Sequence, residues 1–112
     1  VRAGAHVGDI SFAVESHAKA NGFSVVRDLF GHGVGKALHE DPLIPNYGEK
    51  GSGPELKAGM VLAIEPMLNI GSSRIVTLPD GWTVVTADRS LSSHYENTVL
   101  VTKNGVEVLT KI

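Results

Sequence analysis

Apolar positions recur at helical spacing near the start of the chain and give way to short strand-like runs. Ile10, Ala13, Val14, His17 and Ala18 fall on one stripe between Asp9 and about Asn21, the period of an amphipathic helix. Asp9 suits the N-cap, where a carboxylate can accept from free N–H groups of the first turn, and Gly22 suits the C′ position. From Phe23 to Leu29 the chain is rich in Val and Phe, which predicts a short strand leading into Gly31-His32-Gly33-Val34-Gly35. The glycines there predict a loop that takes positive φ and lets an ion or substrate approach His32 closely.

Residues 41–59 read as surface loop, with Pro42, Pro45 and Pro54 set among Gly48, Gly51, Gly53 and Gly59. Met60 to Glu65 is a continuous apolar strand stopped by Pro66, which holds Glu65 extended and removes the next ladder donor. Ile75 to Leu78 and Trp82 to Thr86 flank the turn Pro79-Asp80-Gly81 and predict a hairpin. Ser93 to Thr102 predicts another strand, which ends at Lys103-Asn104-Gly105 and turns into Val106 to Leu109. There is no internal repeat of 20 to 50 residues. The expected class is α+β, one helix packed on an antiparallel sheet.

Composition narrows the chemistry. The 112 residues, 42% of them apolar, fit one domain or a piece of one, with Val1-Arg2-Ala3-Gly4 reading like the middle of a polypeptide. A net charge of −2 with no basic run disfavours nucleic acid as a partner. With no cysteine, any metal must be held by imidazole and carboxylate. No apolar run reaches the roughly 18 residues of a membrane-spanning helix, and no basic segment precedes an apolar one as in a secretory signal. A membrane partner is not expected, and any targeting signal would lie upstream.

Glu65 follows five apolar residues, and a carboxylate there is costly to bury unless something neutralises it. Glu96 sits inside the run Tyr95-Glu96-Asn97-Thr98-Val99-Leu100-Val101. Taken singly, Glu65 could be a partly exposed strand-end acid and Glu96 a solvated-face residue. Together with His32 they lie near strand ends of one small sheet, and their convergence would make a metal site. One imidazole and two carboxylates suit Zn²⁺, Fe²⁺, Mn²⁺ or Co²⁺. Such ions polarise carbonyls and lower the pKa of bound water toward about 7, so hydrolysis is the natural reaction class. His39, seven residues after His32, cannot form a one-turn helical ligand pair with it and is placed beside the ligands or on substrate. His6 and His17 are expected to be ordinary core or surface residues, while His94, two residues before Glu96, either points with Glu96 or takes an edge position.

Four motifs carry a resemblance. Gly31-His32-Gly33-Val34-Gly35, Leu38-His39-Glu40-Asp41-Pro42, Ala63-Ile64-Glu65-Pro66-Met67-Leu68-Asn69, and Asp80-Gly81-Trp82-Thr83-Val84 running to Ser92-Ser93-His94-Tyr95-Glu96-Asn97-Thr98 resemble the type I methionine aminopeptidases. The likeness spans nearly the whole chain, and Glu65-Pro66-Met67 with Tyr95-Glu96-Asn97-Thr98 favours this family over the proline-specific aminopeptidases. It implies the pita-bread (creatinase/aminopeptidase) fold, a cytoplasmic enzyme removing N-terminal methionine from nascent polypeptides, and two divalent metal ions. It implies further that His32 ligates one ion, Glu65 ligates and helps activate water, and Glu96 bridges both. By the same resemblance His39 acts on the carbonyl of the scissile amide, and Leu38 and Trp82 line the methionine pocket. Where the family has an aromatic residue this chain has Leu38, which implies a roomier pocket.

The family completes its metal site with two aspartates from a preceding segment, and a further upstream histidine contacts substrate. Asp9, Asp28, Asp80 and Asp88 do not match that pair in spacing or context. Residues 1–112 therefore resemble the C-terminal half of the catalytic domain, with an incomplete site and little or no activity alone. A half-fold of this kind is expected to pair with the missing N-terminal half or to self-associate through its uncovered apolar face. Two other readings differ in class: a non-catalytic pita-bread binding module, and an X-Pro aminopeptidase.

Overall fold

A computed structural model covers residues 1–112, with one helix followed by ten short strands. The helix α1 spans Val7–Ala20, and the strands are β1 Ser24–Val25, β2 Gly31–Gly33, β3 Glu40–Ile44, β4 Val61–Ile64 and β5 Met67–Asn69. They continue as β6 Ile75–Thr77, β7 Val84–Thr86, β8 Ser92–His94, β9 Asn97–Val101 and β10 Val106–Val108. Every pairing is antiparallel, in a five-stranded sheet ordered β10-β9-β4-β2-β3, a three-stranded sheet β1-β5-β8 and the ribbon β6-β7. The single expected sheet is thus three.

The helix N-cap lies three residues earlier than its pattern predicts. His6 is the N-cap and Asp9 occupies the third helical position, where its carboxylate accepts from the His6 N–H at 2.8 Å and the Gly51 N–H at 2.8 Å. An acid there reaches back to the cap backbone just as a capping box requires. The far end follows expectation: Gly22 has φ +80°, its N–H bonds Lys19 O, and the Phe23 N–H bonds Ala18 O, a Schellman motif. The buried stripe is Val7, Ile10, Ser11 and Ala18, while Ala13 and His17 of the expected stripe face solvent.

Val7 and Ile10 meet Ile44, Leu56, Leu62, Val99 and Val101 in the core, so the helix closes one face of the five-stranded sheet. Both predicted hairpins form, β6-β7 around Pro79-Asp80-Gly81 and β9-β10 around Asn104-Gly105. The run from Ser93 to Thr102 is not one strand but β8 and β9, broken at Tyr95-Glu96.

Two departures shape the site. The glycine-flanked His32 is not in a positive-φ loop: Gly31-His32-Gly33 is strand β2, and none of Gly31, Gly33 and Gly35 has positive φ. Glycine is needed there for close approach, since a Cβ at Gly31 would run into the Ala63 carbonyl oxygen and one at Gly33 into that of Asp41. The second departure is β3, a strand where residues 41–59 predicted loop. It is the sheet edge, and its pairing with β2 slips from His32↔Leu43 to Gly33↔Glu40. Pro42 falls in that bulge, where the missing N–H breaks no ladder bond.

Candidate metal centre

Register alone brings three unusual side chains to one end of the central sheet. Ile64 of β4 pairs with Asn97 of β9, so Glu65, one residue past Ile64, stands opposite Glu96, one residue before Asn97. His32 on β2 pairs with Ala63, two residues before Glu65. Pro66 ends β4 immediately after Glu65, and β5 starts at Met67 in a different sheet. The ligating atoms of His32, Glu65 and Glu96 lie within 4.8 Å of one another.

His32 is buried at 5% exposure, and its Nδ1 lies 2.9 Å from the Gly33 carbonyl oxygen. A carbonyl can only accept, so Nδ1 carries the proton and the lone pair of the neutral ring is on Nε2. That Nε2 faces Glu65 Oε1 at 3.9 Å, two electron-pair donors turned toward one gap. Burial first, then the like charge of Glu96 and a hydrogen bond shared with it, hold the Glu65 carboxyl above the usual carboxylate range against the pull of His32 and His94. Two carboxylates and an imidazole lone pair in one place form a donor set that fits a divalent cation.

The His39 ring packs against His32 with centroids 4.1 Å apart, while its residue is solvent-exposed. Both line an open hollow of about 480 Å³ together with Glu40 and Asp41. His94, for which the sequence left open whether it points with Glu96 or sits at an edge, reaches the cluster: its Nε2 lies 3.4 Å from Glu65 Oε2. It also lines an apolar hollow of about 400 Å³ with Met67, Leu29 and Leu91. Its place two residues before Glu96 was the sequence signal for this contact. Leu38 is 71% and Trp82 87% exposed, and neither lines the two hollows that touch His32 and His94. Trp82 stands at the β6-β7 turn, where its N–H donates to Asp80 Oδ1 at 2.9 Å.

Comparison with known proteins gives the arrangement its context. The profile of metallopeptidase family M24 matches residues 1–103. A methionine aminopeptidase of Clostridium perfringens is 64% identical over 104 residues, which are 93% of this chain and 42% of the relative. The crystal structure of methionine aminopeptidase from Thermotoga maritima superposes with a TM-score of 0.98 at 51% identity, over 100% of this chain and 45% of that one. The prolidase of Pyrococcus horikoshii is more distant, with a TM-score of 0.68 at 26% identity over 99% of this chain and 26% of that one. The chain thus spans less than half the length of the aminopeptidases it matches, and its fold is part of the pita-bread architecture. No helix is long and apolar enough to cross a membrane.

Proposed function

Because the chain belongs to metallopeptidase family M24, we propose that the protein carrying it is a metal-dependent aminopeptidase that removes N-terminal methionine from newly made polypeptides. One observation carries this reading: the donor atoms of His32, Glu65 and Glu96 meet within 4.8 Å. They do so in a chain 64% identical to a methionine aminopeptidase over 104 residues. His32 through Nε2, Glu65 and Glu96 would hold the metal, with Glu65 also placed to take a proton from water. Two divalent ions, Mn, Fe, Co or Zn, would supply Lewis acidity, polarising the scissile carbonyl and lowering the pKa of water toward about 7.

His39, its ring tilted against that of His32 yet open to solvent, is placed to donate an imidazole N–H to the carbonyl oxygen as charge develops on it. Leu38 and Trp82 supply apolar surface to the methionine side chain, and their exposure leaves that surface free to meet it. Residues 1–112 act as the C-terminal half of the catalytic domain, with further ligands and the opposite wall contributed by other residues of the protein. The substrate is a peptide or nascent-chain N-terminus, and the place of action is the cytoplasm, where nascent chains are met.

The test is hydrolysis of Met-Ala-type peptides by the full-length protein, in competition with X-Pro peptides. Metal-dependent methionine release is expected; release of X from X-Pro alone, or of nothing, sinks the reading. The 112 residues alone are expected to be inactive and, with Trp82 and Leu91 exposed, to sediment as a dimer or larger. A clean monomer, or measurable turnover, contradicts those two expectations.

A further inference from the structure

The Glu65 carboxylate has two oxygens with different company. Oε1 faces His32 Nε2 at 3.9 Å, and Oε2 faces His94 Nε2 at 3.4 Å. The second contact is built by the backbone rather than by chance rotation of a surface ring. His94 pairs with Met67 at the start of β5, two residues beyond Glu65 and across Pro66. One residue on, the Tyr95 N–H donates to the Pro66 carbonyl at 3.3 Å. The turn that carries Glu96 is therefore tied to the turn that carries Glu65, and His94 sits at the tie. Its ring also borders the apolar hollow that Met67 lines.

We propose that His94 is a positioning residue for Glu65: its imidazole N–H restrains Oε2, which keeps Oε1 turned into the His32 and Glu96 cluster. The inference rests on the reading of that cluster as a metal centre. A free glutamate at a strand end can rotate both oxygens away from the site, and holding one of them removes that freedom. Partners that orient ligating carboxylates from behind in this way are worth roughly 10–100-fold in metal affinity. The His94 side chain is 50% exposed and β8 is short, so replacing it leaves the core intact and the effect is read at the site.

The experiment is calorimetric titration of the full-length protein with Mn²⁺, run on the wild type, His94→Ala, His94→Gln and Glu65→Ala. His94→Ala is expected to weaken Mn²⁺ binding roughly 10–100-fold with an unchanged melting temperature of the metal-free protein. His94→Gln, whose amide N–H can still reach Oε2, is expected to bind within about threefold of wild type. Wild-type affinity in His94→Ala overturns the proposal, and so does a Gln variant as weak as the Ala variant. Where Glu65→Ala loses binding and His94→Ala does not, only the positioning role fails. A wild type that takes up no Mn²⁺ sinks the metal centre and the positioning role together.

Discussion

The five-stranded sheet and the β6-β7 ribbon are held by different physics. In the sheet Leu62 and Val101 are 0% and 1% exposed, and Gly31 and Gly33 let neighbouring backbones meet where any side chain would collide. In the ribbon Val84 and Val85 are exposed, and order comes from carboxylates that gather N–H donors. Asp80 accepts from Trp82 and Thr83 at 2.9 Å each, and Asp88 from Ser72 at 2.8 Å and Ser90 at 3.0 Å. His32 lies within the sheet and Glu65 and Glu96 at its end, whereas Trp82 belongs to the ribbon. On the proposed reading, the ion-holding residues and Trp82 would thus stand on separate supports, and each should fail by its own route.

The sharpest way to break that separation is at the ligands. Glu65→Ala or His32→Ala removes a donor outright and is expected to weaken metal binding roughly a hundredfold or more, beyond the 10–100-fold cost of losing an outer partner. Trp82→Ala is expected to leave metal affinity unchanged and to raise KM for a methionyl peptide. Titration calorimetry beside steady-state kinetics on the full-length protein decides it. Equal losses of metal affinity in Trp82→Ala and Glu65→Ala would show the two supports to be one.

Stability offers the next largest contrast. Leu62→Ala opens a cavity in the sheet and is expected to cost about 2–5 kcal/mol, whereas Val85→Ala on the exposed ribbon costs about 0.5 kcal/mol or less. Gly33→Ala falls between, at about 1–3 kcal/mol, because the added Cβ meets the Asp41 backbone and the strand must shift. Urea unfolding of the full-length variants measures all three. A Val85→Ala cost as large as that of Leu62→Ala would mean the ribbon is packed against something in the intact protein.

These contrasts also mark what the sequence made legible. The helix followed from a 3.6-residue period and Gly22, and the hairpins from Pro79-Asp80-Gly81 and Asn104-Gly105, because such signals act within a few residues. The need of Glu65 for partners was legible because an acid closing an apolar strand before proline is costly to leave alone. The strand at Gly31-His32-Gly33 was not, since glycine has little intrinsic strand preference and the pairing with β3 and β4 overrides it. Strand β3 was hidden by Pro42, which an edge bulge tolerates. For His94 the spacing to Glu96 was legible but the contact with Glu65 was not, since it depends on the pairing of Met67 with His94, a long-range register.

Acid separates the two regions by the smallest effect. Hydrogen bonds from the Ser72 backbone, then from the Ser90 side chain and backbone, lower the Asp88 carboxyl from an ordinary 3.8 to about 2. The Thr83 side chain, followed by the Trp82 and Thr83 backbones, lowers Asp80 in the same direction. A carboxylate depressed in the folded state contributes stability that is fully present above its unfolded pKa and is lost as pH falls through the folded one. For Asp88 that window runs from pH about 4 down to about 2. Hydrogen exchange across it should show the ribbon amides of Ser72, Trp82, Thr83 and Ser90 losing protection before the sheet amides of β4 and β9. Asp88→Asn, which has no carboxylate to protonate, should flatten the pH dependence at Ser72 and Ser90 while leaving β4 unchanged. Simultaneous loss in ribbon and sheet, unaltered by Asp88→Asn, would mean that the carboxylates do not hold the ribbon.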